Sequence, residues 1–135
     1  VGEIASSVGL NYNFDTQIQT NTTKAHELLH LAKKFGKQVE LKERLMAAHF
    51  EEGIHVGRFD VLADLAASVG IDRQTALDSL ESGEFADAVA ADIAQASAYG
   101  ITGVPFFVID GKFGLSGAQE SSTFLEVLQK AAKEV

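Results

Sequence analysis

Apolar residues recur at three- and four-residue intervals over most of the chain, the spacing that lines one side of an α-helix. Val1 to Val8 reads as the tail of a helix closed by Gly9. Leu10 to Thr20 is polar and aperiodic, with Asn11, Asn13, Asp15 and Thr16, and predicts an ordered loop. Asn21 is placed to cap the next helix, where Ala25, Leu28, Leu29, Ala32 and Phe35 share a stripe that ends at Gly36. Another helix is expected from about Val39 to Glu52. Leu41, Leu45, Ala48 and Glu52 fall on one side of it, Met46 and Phe50 on another, and Gly53 stops it. Arg58 to Val69 carries Leu62, Leu65, Ala66 and Val69 on one stripe, ending at Gly70. Asp72 caps a short helix that ends near Ser82. Glu84 to Tyr99 turns Phe85, Ala88, Val89, Ile93 and Ala96 inward and closes at Gly100. Five consecutive helices with short connections predict a compact helical subdomain.

Then the period drops to two. Phe106-Phe107-Val108-Ile109 is a run of β-formers, and the Asp110-Gly111 that follows is a strong hairpin signal, because both residues tolerate positive φ. Lys112 to Leu115 is the expected return strand. Ser116 opens the last helix, with Gln119 three residues on in a capping-box pattern. That helix presents Phe124, Leu125, Leu128 and Ala131 on one side, and Lys130 and Lys133 suit its negative end. The fold class is mostly α with a small antiparallel β-hairpin. In the first strand Phe106 and Val108 face one way, Phe107 and Ile109 the other. A strand that is apolar on both faces belongs inside a sheet covered by helices. The chain offers it one partner strand only, and an isolated hairpin is marginal in water.

Composition removes several functions. The 135 residues suit a single domain, and 46% are apolar, enough for a packed core. Nineteen acids against eleven basic residues leave a net charge of −8, which argues against nucleic acid and anionic membrane surfaces as partners. The absence of cysteine excludes disulfides, thiolate catalysis and zinc–thiolate sites within the chain. No apolar run approaches the roughly 20 residues of a membrane helix. The chain starts at Val1 without a methionine or a leader-like pattern, so a fragment is expected, and a cytoplasmic location.

Pro105 is the only proline. It sits in Gly100-Ile101-Thr102-Gly103-Val104-Pro105, after a long helix and immediately before the apolar strand. A Gly-flanked Val-Pro at this place resembles the cis-proline loop of thioredoxin-fold proteins. With Leu115-Ser116-Gly117-Ala118-Gln119 downstream and Asn21-Thr22-Thr23-Lys24-Ala25-His26 upstream, nearly the whole chain resembles the FrnE-type branch of the DsbA family.

The resemblance implies a partial thioredoxin-like fold with a helical insertion domain. Residues 1–20 would be a helix tail and loop from a preceding core, 21–83 the insertion, and 84–135 the C-terminal half of the core. It further implies a redox-active C-x-x-C on a segment that this chain does not contain. The expected function is therefore that of a fragment of a thiol–disulfide oxidoreductase or isomerase, inactive alone, which supplies the proline loop and a helical lid. Thr102, Gly103, Val104 and Pro105 would bind a thiol- or disulfide-bearing substrate, and His26 would line a groove beside it.

Physical chemistry gives the loop a role beside the resemblance. X-Pro bonds adopt cis at a modest cost of roughly 0.5–1 kcal/mol. A cis Val104–Pro105 bond would leave the N–H and C=O of Val104 facing outward, open to strand addition by an extended peptide. Two alternatives stand beside this function. One is a glutathione-dependent isomerase of the kappa glutathione-transferase and 2-hydroxychromene-2-carboxylate isomerase type. The other is a non-enzymatic helical binding module.

Other residues carry less. His26 and His30 share a helix face, but no third metal ligand accompanies them, and His26 is expected to be packed or to line a groove. His49 and His55 read as surface residues. Asp87 and Asp92 do not face the same way, and no phosphate loop or nucleophile elbow occurs. Neither a metal nor a cofactor is expected. The exposed strand edge predicts a homodimer.

Overall fold

The computed structural model describes residues 1–134, and they divide into two compact units, Val1–Asp92 and Ile93–Val135. The first unit contains α1 (Gly2–Ser7), α2 (Thr23–Lys34), α3 (Gln38–Phe50), α4 (Phe59–Ser68) and α5 (Arg73–Ser82). The boundary between the units falls within α6 (Ala86–Ala98).

Leu28, Leu41, Leu62 and Leu80 are completely buried, one each from α2 to α5. Ala32, Ala48, Ala63, Ala66 and Ala76 are equally buried between them. These leucines and alanines belong to one apolar cluster that the four helices share. Each leucine removed from water contributes on the order of 2 kcal/mol. A polar tie crosses the same core. Glu27 is buried, and Lys24 Nζ reaches its carboxylate and the Leu80 carbonyl, both at 3.1 Å.

The caps are local. Asp72 accepts from Thr75 N–H at 2.9 Å, and that backbone hydrogen bond holds its carboxyl below the ordinary value. Asn21 accepts from Thr23 N–H at 2.9 Å, although the cap position itself is Thr22. The loop before α2 is ordered by its backbone. Asn13 N–H donates to Phe50 C=O at 2.8 Å and Asn11 N–H to Glu51 Oε1 at 2.7 Å. The Tyr12 ring lies tilted against Phe50, with centroids 5.2 Å apart. Thr16 then presses against Gly53, at whose φ of +66° any side chain is strained.

The second unit holds a two-stranded antiparallel sheet, β1 (Phe106–Ile109) and β2 (Phe113–Ser116), and then α7 (Ser121–Lys133). Phe106 pairs with Ser116 and Ile109 with Phe113. Asp110 and Gly111 both take positive φ, 55° and 65°, and Lys112 N–H closes the turn on Ile109 C=O at 3.1 Å.

Three expectations need correction here. Ser116 does not open the last helix; it ends β2, because it is needed to pair with Phe106. Gly117 then turns the chain at φ 84°, Gln119 Nε2 donates to Ser116 C=O at 2.8 Å, and the helix starts five residues later at Ser121. Of the expected α7 stripe Phe124, Leu125, Leu128 and Ala131, only Phe124 and Ala131 are covered, and Val127 joins them in place of Leu125 and Leu128. Phe107 meets Phe124 edge-on at 4.9 Å, whereas Leu125 and Leu128 stay 55% and 52% exposed. Ile93 of α6 is likewise exposed rather than inward.

The glycine at position 53 is a measurable joint. Gly53→Ala would set a methyl group about where Thr16 lies and keep a left-handed backbone. Urea denaturation should show a loss of about 2–4 kcal/mol. Gly36→Ala has similar φ but open space around it, and should lose only about 1 kcal/mol.

Candidate functional site

The loop singled out in the sequence is built from its two ends. At the helix end, Gly100 adopts φ 73°, its N–H donates to Ser97 C=O at 2.9 Å, and Ile101 N–H donates to Ala96 C=O at 3.1 Å. This closure satisfies the last carbonyls of α6 and directs the chain away from the helix axis. At the strand end, Gly117 N–H donates to Pro105 C=O at 2.8 Å, extending the β1–β2 ladder by one bond. The two motifs, Val-Pro and Ser-Gly-Ala-Gln, are thus hydrogen-bonded neighbours.

Between these anchors lie Thr102, Gly103, Val104 and Pro105, all exposed, and the Val104–Pro105 peptide bond is cis. Val104 is 91% exposed, the most exposed large apolar residue among the described residues of the second unit. Among the described residues neither its N–H nor its C=O is engaged. An open donor and acceptor next to an exposed apolar side chain can pair with an extended segment. No thiol is present to react with it.

The fifth predicted residue, His26, belongs to the first unit. Its side chain is exposed rather than packed, and it stands at the mouth of a groove of about 270 Å³ between α2 and α3. Leu29, Leu45, Met46, Phe50 and Val56 make the floor, and Thr22 and Lys42 stand on the rim with His26. His30, on the same helix, does not join His26. It pairs with Asp92 at 2.7 Å and stacks on Phe85. No group of metal-ligating side chains forms among the described residues.

His49 and His55 are not the surface residues expected of them. His55 is half-buried, and its Nδ1 accepts from Gly57 N–H at 3.1 Å. His49 is half-buried in the groove wall, where its Nε2 accepts from the Gln17 amide nitrogen at 2.9 Å. That places the ring proton on Nδ1, which is buried and has no partner among the described residues. Lys42 and His49 were missed as groove residues in the sequence. The signal available was the spacing of Lys42, Met46 and His49–Phe50, a second stripe on α3.

A helical block, a loop ending in cis-proline, a hairpin and a closing helix together define a class, and comparison with known proteins agrees. The chain belongs to the DSBA-like thioredoxin domain family, whose model matches residues 1–129. It is 34% identical to a probable DsbA oxidoreductase from Streptomyces coelicolor whose crystal structure is solved. The two superpose with a TM-score of 0.89 over 99% of this chain and 58% of the other. It is 29% identical over 133 residues to the uncharacterized protein YwbO of Bacillus subtilis (strain 168). The chain spans 66% of that relative's length, while 97% of its own length is matched. No helix among the described residues is long and apolar enough to cross a membrane.

The Gln17–His49 bond offers a test of the groove wall. Gln17→Leu removes the partner of Nε2 and should cost about 1–3 kcal/mol, since both ring nitrogens are then unsatisfied. Combining it with His49→Phe should recover most of that loss in chemical denaturation, because donor and acceptor go together.

Proposed function

We propose that this chain is the substrate-presenting portion of a FrnE-type, DsbA-family thiol–disulfide oxidoreductase. Its chemistry then depends on cysteines carried outside these 135 residues. Support comes chiefly from one observation: the exposed Val104, with its backbone N–H and C=O free, held immediately before Pro105 by the Gly117 hydrogen bond. The family membership and the order of the three sequence segments add to it.

An extended, cysteine-bearing peptide would lie along Val104 by strand addition, its backbone pairing with the two free groups. The loop orients the peptide and contributes no electron pair. The redox step would be thiolate attack on a disulfide sulfur through a mixed disulfide, carried by a C-x-x-C whose thiolate is favoured at a helix N-terminus.

The coding sequence upstream of Val1 and the activity of its full product test this. A C-x-x-C upstream is expected, and the full product should reduce or form disulfides in a peptide substrate. Val104→Asp should raise KM about tenfold with little change in the pKa of the attacking thiol, because it alters peptide pairing and not the thiol. A serine or no cysteine upstream, or a Val104→Asp variant with unchanged KM, would overturn the proposal.

A further inference from the structure

The groove in the first unit has a composition that the redox function does not use. Its floor is apolar, from Leu29, Leu45, Met46 and Phe50, with Met46 48% exposed. The chain carries nineteen acidic residues and a net charge of −8, yet no carboxylate lines this groove. Its rim instead carries Lys42, His26 and Thr22. Among the described residues Lys42 forms no ion pair, a state it shares with Lys33, Lys37, Lys130 and Lys133, but of these lysines it alone lines this groove, and the side chains of His26 and Thr22 form no hydrogen bond. An unpaired cation and two free polar groups over an apolar floor match one chemistry, a negative head on an apolar body. At about 270 Å³ the space falls just under the roughly 300–1,000 Å³ of drug-sized ligand pockets, which suits a small ligand.

We infer that the groove between α2 and α3 binds a small amphipathic organic anion, of the class of medium-chain carboxylates, with its head at Lys42 and its apolar body over Met46. Lys42 donates a charge-assisted hydrogen bond to the carboxylate, the stronger kind because one partner is ionised on each side. Thr22 and His26 offer further donors on the opposite helix. The apolar body covers Met46 and Phe50, and its transfer from water supplies the remaining affinity. The groove lies within Val1–Asp92, so this site stands whether or not the redox proposal does.

Isothermal titration of the 135-residue chain with decanoate, and with decanol as the neutral analogue of equal length, tests it. Decanoate should bind with one-to-one stoichiometry and decanol more weakly. Lys42→Glu should weaken decanoate by about tenfold or more and leave decanol unchanged, as expected for loss of one charge-assisted bond. Met46→Asp, on an exposed floor position, should weaken both. Lack of decanoate binding would overturn the inference. So would equal affinities for decanoate and decanol, or a Lys42→Glu chain that binds decanoate as before. Because both substitutions lie at exposed side chains, an unchanged circular dichroism spectrum and Tm separate loss of binding from loss of fold.

Discussion

A strand with apolar side chains on both faces needs cover on both faces, and in this chain β1 has one neighbour. Phe106 and Ile109 are half-buried and Phe107 and Val108 are exposed, at 40% and 37%. The second unit buries only two apolar side chains among its described residues, Leu115 and Ala131, and neither of them completely. Hydrophobic burial scales with the area removed from water, so so small a core contributes little against the entropy of ordering some forty residues. The first unit is the opposite case. Four leucines and five alanines are fully buried across four helices, and half-buried Lys24 ties the buried Glu27 to the Leu80 carbonyl. The two parts of the chain therefore differ sharply in how much apolar surface they bury.

That imbalance fits the place of the proline loop. The free backbone groups at Val104 and the open edges of the β1–β2 sheet belong to the same unit. A surface that accepts an added strand must leave hydrogen-bonding groups unpaired. The Gly117–Pro105 bond and the Gly100 closure fix the loop at both ends, so its exposure is held in place by the backbone. The same unpaired groups that leave the sheet short of partners are the ones the proposed peptide pairing would use.

Much of the fold was legible along the chain. The helices of the first unit follow from stripes such as Leu41, Leu45 and Ala48, and from glycines that end them, because both signals act within one or two turns. The Asp110-Gly111 turn was legible for the same reason. The start of α7 was not: Ser116 and Gln119 match a helix-start pattern, but Ser116 is claimed by Phe106 across the sheet, a pairing that no local pattern shows. Leu125, Leu128 and Ile93 keep helical spacing, yet spacing tells which residues share a stripe and not whether anything covers it. The positions of Thr102 to Pro105 were readable from the motif. The groove was not, since it arises where a stripe on α2 meets a stripe on α3. His49 owes its burial partly to Gln17, distant by 32 positions.

The most direct measurement is native-state hydrogen exchange of the 135-residue chain, resolved by residue. Amides of the helical core around Leu28, Leu41, Leu62 and Leu80 should exchange only through global unfolding. Amides of β1, β2 and α7 should exchange through a separate opening that costs several-fold less free energy, as expected of a unit with few buried contacts. Equal protection in β1, α7 and the helical core would contradict the claim that the second unit is an incomplete core.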